Sequence, residues 1–103
     1  MSTLIEPHIE LRAGPRGPRP RVSGKGVLVQ AIVAWHLVLR MPPEEIAANH
    51  DLTLSEVYSA LSYFYDHREE IERLNKEDDE YVEQMKRANP SLLEEKLRQR
   101  FGH

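Results

Sequence analysis

The sequence contains no cysteine among its 103 residues, so neither a disulfide nor a zinc site with thiolate ligands can form. Its N-terminus lacks the basic region and apolar core of a secretory signal. The longest apolar stretch, residues 27–39, contains Gln30 and His36 and is too short to span about 30 Å of hydrocarbon. These absences predict a soluble, cytoplasmic protein that does not enter a membrane.

Patterns typical of catalysis and metal binding are also missing. The five histidines are scattered, and none forms the helical His-Glu-x-x-His pair. Asp78 and Asp79 are adjacent on a predicted helix, so their carboxylates point in different directions. The segment 13–20 (AGPRGPRP) has prolines where a phosphate-binding loop needs backbone N–H donors. We therefore expect no enzyme, no cofactor and no metal site.

The spacing of residues 42–66 is that of a helix-turn-helix. Pro43 suits the first turn of a short helix, where its missing N–H costs nothing. Thr53 and Glu56 form a capping box that starts a second helix. The buried stripe of this second helix is predicted to consist of Val57, Ala60, Leu61 and Phe64. Proteins that bind DNA place such a second helix in the major groove. The alternative is an ordinary helical corner in a small bundle.

The charges are unevenly distributed along the chain, although the net charge is only −3. Residues 1–40 hold six Lys/Arg and two Asp/Glu, whereas residues 41–103 hold eight and fifteen. The predicted second helix has small hydroxyls on its outer side but no Lys or Arg. The candidate DNA-binding residues are therefore these serines and the cations of a flexible N-terminal arm: Ser55, Ser59, Ser62, Arg16, Arg19, Arg21 and Lys25. The alternative is that the arm is a solvated basic loop.

The N-terminal part has weak strand signals. Residues 8–12 and 21–23 are candidate short strands, and the Gly- and Pro-rich segment between them is a turn or loop. We expect at most a small β-hairpin or arm in residues 1–26. Gly24 and Gly26 allow a sharp entry into the next segment.

Residues 27–39 (VLVQAIVAWHLVL) are apolar on nearly every side of a predicted helix. Such a helix is buried on more than one face. The single core of a domain of this size can bury only one of these faces, so the other needs a second chain. The pattern predicts a homodimer with Val29, Val33 and Leu37 in the interface. The alternative is a buried strand at residues 27–29 followed by a shorter helix.

The C-terminal part, residues 67–103, is predicted to form protruding amphipathic helices. Asp66 with Glu69 is a second capping box, and Asn89-Pro90 ends the helix that it starts. The apolar stripes are narrow and the opposite sides are polar, which is typical of helices that bind in a groove of a partner. The alternative is that they pack on the helix-turn-helix core, residues 27–66. The predicted fold is therefore mainly α: a small homeodomain-like core, an N-terminal arm and these helices.

Four segments resemble a known bacterial family. They are residues 20–24 (PRVSG), 29–36 (VQAIVAWH), 41–47 (MPPEEIA) and 52–71 (LTLSEVYSALSYFYDHREEI). The chain resembles the family called domain of unknown function 433, whose members are regarded as antitoxin-like, VapB-type proteins encoded beside PIN-like nuclease toxins. Two departures stand out: Gly24-Lys25-Gly26 replaces a Gly-Thr-Arg-like turn, and Ala31 replaces the acid that follows Val-Gln in the family.

The resemblance implies an antitoxin of a type II pair that neutralises a PIN-like nuclease toxin and binds operator DNA as a dimer. The alternative is a free-standing transcription regulator without a toxin. Within residues 81–101, three arginines are expected to reach the acidic pocket of such a nuclease. The candidate toxin-binding residues are Tyr81, Met85, Arg87, Leu92, Leu93, Leu97, Arg98, Arg100 and Phe101.

Overall fold

The computed structural model describes residues 2–6 and 8–88, and these are mainly helical, as predicted. The strands are β1 (Ser2–Glu6), β2 (Ile9–Arg12) and β3 (Arg19–Val22). The helices are α1 (Val29–Val33), a π-helical turn (Ala34–Val38), α2 (Pro43–Asn49), α3 (Leu54–Asp66) and α4 (Arg68–Ala88). None of these described helices is both long enough and apolar enough to span a bilayer.

The N-terminal sheet is larger than the sequence predicts. Strands β2 and β3 form an antiparallel hairpin in which Ile9 lies opposite Val22. Strand β1 adds a third antiparallel strand beside β2, in the order β1-β2-β3. The predicted hairpin is therefore found, and β1 is an addition to it that the sequence did not predict, because its five residues, STLIE, do not alternate between polar and apolar.

The first helix also differs from the single α-helix that residues 29–39 predict. It is α-helical only from Val29 to Val33 and then widens into the π-helical turn. The backbone N–H of Leu39 donates to the carbonyl oxygen of Ala34, five residues earlier, at 3.1 Å. Arg40 follows with a φ of +58°, which turns the chain toward α2.

The sheet and the helices α1, α2 and α3 share one core. Its fully buried apolar side chains include Ile9, Val22, Val29, Ile32, Ile46 and Val57. Strand β3 contacts α1, and β2 and β3 contact α3. Residues Met1–Arg68 form one compact unit, and because β2 and β3 pack on helices they do not belong to a flexible arm. A second unit begins at Glu69.

Candidate functional site

Helix α3 begins at the capping box that the sequence predicts. The backbone N–H of Thr53 donates to Glu56 Oε1 at 2.8 Å, and the backbone N–H of Glu56 donates to Thr53 Oγ1 at 3.1 Å. The predicted stripe of Val57, Ala60, Leu61 and Phe64 is buried. One side of α3 is therefore packed in the core, and the opposite side is exposed and accessible to a partner.

Lys25 binds the start of α3. Its Nζ donates to Glu56 Oε1 at 3.2 Å and to the backbone carbonyl oxygen of Asp51 at 2.6 Å. Burial raises the pKa of Glu56, but the hydrogen bonds from Thr53 and Lys25 outweigh it and hold the pKa below its usual value. Lys25 thus stabilises the fold, and its ammonium group is not free for a phosphate.

The other predicted DNA-binding cations are also mostly engaged within the protein. Arg19 is buried, and its Nη1 donates to Gln30 Oε1 at 3.2 Å. Arg21 Nη1 donates to the backbone carbonyl oxygen of Gly26 at 2.9 Å. Arg16 is exposed in the loop between β2 and β3. The structure does not support a flexible basic arm, because Arg19 and Arg21 belong to strand β3 and bind groups of the protein itself.

The outer face of α3 consists of Leu54, Ser55, Tyr58, Ser62 and Tyr65. The three large side chains are 40%, 50% and 56% exposed, respectively. Ser55 and Ser62 are exposed as well, and the third predicted serine, Ser59, is half-buried. Leu54, Tyr58 and Tyr65 are not among the predicted site residues. The sequence could have indicated this apolar surface, because their spacing of four and seven residues places them on one side of a helix.

The electrostatic character of the α2–α3 pair is acidic. Residues 41–66 contain five Asp/Glu and no Lys or Arg. Among the described residues no ion pair involves the exposed carboxylates of this segment, which are Glu44, Glu45, Asp51 and Asp66. Such a surface repels phosphates and attracts cations.

The histidines near these helices make stacking and backbone contacts. The rings of Trp35 and His50 stack with centroids 3.7 Å apart, and those of Tyr63 and His67 with centroids 4.0 Å apart. His36 Nδ1 lies 2.9 Å from the backbone carbonyl oxygen of Met41. Within residues 2–6 and 8–88, no group of three or more His, Cys, Asp or Glu side chains is arranged to hold a metal ion.

Two of the three residues predicted to form the dimer interface are buried within a single chain. Val29 has no exposed surface and Val33 is 8% exposed, so both belong to the core of a single chain. Leu37 is 43% exposed and is followed by Val38 at 74% and Leu39 at 64%. The apolar side chains of α1 are therefore buried mainly against the sheet and α3. The large apolar side chains of this segment that remain exposed are those of residues 37–39.

The predicted toxin-binding residues fall only partly within the described structure. On α4, Tyr81 and Val82 are 40% and 44% exposed, Met85 is half-buried and Arg87 is exposed. Ile71 and Leu74 are buried and not available to a partner. The remaining predicted residues lie outside the described residues: Leu92, Leu93, Leu97, Arg98, Arg100 and Phe101.

Comparison with known families agrees with the sequence resemblance. A family model described as "Protein of unknown function (DUF433)" matches residues 9–64, which is more than half of the chain. The chain therefore belongs to the DUF433 family. No curated protein and no solved structure gives a significant match. The matched region includes the sheet strands β2 and β3 and most of α3, and it ends before α4.

Proposed function

We propose that this protein is an antitoxin of a type II toxin-antitoxin pair and that α4 begins the segment that binds its PIN-like nuclease toxin. One observation carries the proposal: Tyr81 and Val82 are large, apolar and exposed on a helix that is otherwise strongly charged. Tyrosine is among the side chains in which interface energy concentrates, and Val82 adds apolar contact area beside it. The second unit, which begins at Glu69, also lies beyond the family match that ends at residue 64.

The alternative function is that of a DNA-binding regulator without a toxin. It is favoured by the short connection between α2 and α3, because residues 50–53 join the two helices and a helix-turn-helix needs a tight turn at this point. The charges weigh against it. The α2–α3 pair lacks cations, and Arg19, Arg21 and Lys25 are bound within the protein.

We also propose that the chain forms a homodimer through Leu37, Val38 and Leu39. Consecutive exposed apolar residues are uncommon on a surface that has no partner. Residues 26–39 contain no Asp, Glu, Lys or Arg, so a symmetric contact between two copies brings no like charges together within this segment.

The antitoxin proposal is tested by growth rescue. The chain is co-expressed with the protein encoded by the adjacent gene, as full length, as a truncation after Glu80, and as the double variant Tyr81→Ser, Val82→Ser. Full-length protein should restore growth, whereas the truncation and the double variant should not, because the apolar anchors are gone. The matched control is Glu83→Ser, an exposed polar position on the same helix that should still rescue.

Circular dichroism of each variant separates loss of binding from loss of folding. The proposal requires that the double variant keep the helical signal of the wild type. It is contradicted if the folded double variant or the truncation rescues growth as well as the full-length chain.

A further inference from the structure

We propose that the outer face of α3 binds a basic segment of a partner protein and does not bind DNA. The inference uses residues of α3 and not Tyr81 or Val82, so it does not depend on the proposed function. It assigns a protein partner to the helix that the sequence predicts to be a DNA-recognition helix.

The side chains of the outer face are those of a protein interface. Tyr58 and Tyr65 are exposed by 50% and 56%, and they are seven residues apart on the same side of α3. Tyrosine supplies a large contact area at a low cost in conformational entropy and also carries a hydroxyl that forms hydrogen bonds. Leu54 extends this apolar surface by one turn toward the start of the helix, and Ser55 and Ser62 are small enough to allow close approach.

The charges around the outer face specify a basic partner. Asp51 precedes α3, Asp66 ends it, and both carboxylates are exposed. Two cations close in sequence or structure to the ends of α3 are already engaged: Lys25 binds Glu56, and the guanidinium of Arg68 lies 5.6 Å from the centre of the Phe64 ring. A Lys or Arg side chain at each end of an apolar segment complements this arrangement, whereas a phosphate backbone is repelled.

A second copy of the chain fits this face poorly. In a symmetric contact between two α3 helices, the surface of each copy meets the same surface of the other. Both partners would then bring acidic ends, Asp51 and Asp66, and neither would bring a cation from residues 41–66. Like charges brought together in this way oppose association. The occupant that the charges favour is therefore a different, basic protein segment.

The test measures fluorescence anisotropy with three labelled probes on the full-length protein. The first probe is a synthetic amphipathic peptide of Lys, Arg and Leu, the second is the same peptide with Glu at every basic position, and the third is duplex DNA from upstream of the gene. Wild-type protein should bind the basic peptide and neither of the other two.

Substitutions then locate the binding surface. Tyr58→Ser with Tyr65→Ser should weaken binding of the basic peptide at least tenfold, because it removes both aromatic anchors. The matched control, Tyr81→Ser with Val82→Ser on α4, should leave that binding unchanged. Asp51→Asn with Asp66→Asn should weaken it and reduce its salt dependence. Asn suits position 51 because it tolerates the φ of +54° found there.

Several results would overturn the inference. One is unchanged peptide binding in the folded tyrosine variant, and another is equal binding of the acidic peptide. Saturable binding of the duplex that is lost in the same tyrosine variant would instead assign the outer face to DNA. Circular dichroism confirms the folding of each variant, and the aspartate variant tests the charge requirement independently of the tyrosines.

Discussion

At the scale of single residues, two side chains of the N-terminal segment fasten the sheet to the helices. Arg19 reaches Gln30 at the start of the first helix, and Lys25 reaches Glu56 at the start of α3. The turn between β3 and the first helix contains Gly24-Lys25-Gly26, and position 31 of that helix is Ala. In this chain, the contacts of Arg19 and Lys25 hold the sheet in place without an acid at position 31.

The role of Glu56 predicts a pH-dependent stability. Because the pKa of Glu56 is lowered in the fold, its contribution is present above its unfolded value of about 4.5 and is lost as the pH falls through the folded value. We expect Glu56→Gln to cost about 1–2 kcal/mol at neutral pH and much less at pH 3. Urea unfolding followed by the fluorescence of Trp35 measures both values.

The matched control for this prediction is Glu77→Gln. Glu77 Oε1 accepts a hydrogen bond from Arg73 at 3.0 Å, but its side chain is 46% exposed. An exposed pair of this kind contributes about 0.5 kcal/mol or less. A pH profile of Glu56→Gln that runs parallel to that of the wild type would remove Glu56 from the explanation.

Arg19 and Arg16 are expected to behave differently although both were predicted to bind DNA. Arg19→Ala should destabilise the protein by about 1–3 kcal/mol, because it removes a buried guanidinium and leaves Gln30 without that donor. Arg16→Ala, at an exposed position, should change the stability by about 0.5 kcal/mol or less. Urea denaturation measures both. Equal effects of the two substitutions would show that Arg19 is not part of the folded framework.

At the scale of secondary structure, the sequence predicts elements well where a local signal is strong. The capping box of Thr53 and Glu56 and the buried stripe of α3 are found as predicted. Strand β1 was missed because its five residues, STLIE, do not alternate between polar and apolar side chains. The π-helical turn Ala34–Val38 was missed because residues 27–39 contain neither proline nor glycine, the residues that usually mark a break in a helix.

The candidate site was predicted less well than the fold, for a physical reason. Sequence shows that Arg19, Arg21 and Lys25 are cations, but only the fold shows which acceptors they reach. Likewise, the apolar residues Val29 and Leu37 look alike in the sequence. In the fold, Val29 is buried against the sheet and α3, whereas Leu37 lies in the π-helical turn and is exposed.

The two halves of the first helical segment should therefore respond differently to substitution. Ile32→Ala should cost about 2–5 kcal/mol in unfolding free energy, because Ile32 is fully buried. Val38→Glu should leave the unfolding free energy of the monomer nearly unchanged, because Val38 is 74% exposed, and should abolish the proposed homodimer. Sedimentation velocity measures the association state. A wild-type protein that is monomeric at micromolar concentration contradicts the dimer.

Across the molecule, the charge and apolar surface that stay exposed after folding indicate the kind of partner that the protein binds. Among the described residues, the large exposed apolar side chains lie on the outer face of α3, at residues 37–39, and on α4 at Tyr81 and Val82. The α2–α3 pair is acidic, and most cations of the N-terminal half are bound within the protein. This distribution suits a protein that binds other proteins better than one that binds DNA.

Sedimentation velocity of the labelled full-length chain tests most directly whether the protein binds another protein or DNA. The chain is mixed with the protein encoded by the adjacent gene in one sample and with duplex DNA from upstream of its own gene in the other. We predict a shift to a larger, stoichiometric complex with the protein and no shift with the DNA at physiological salt. A shift with the DNA alone would contradict the account and would favour a free-standing regulator.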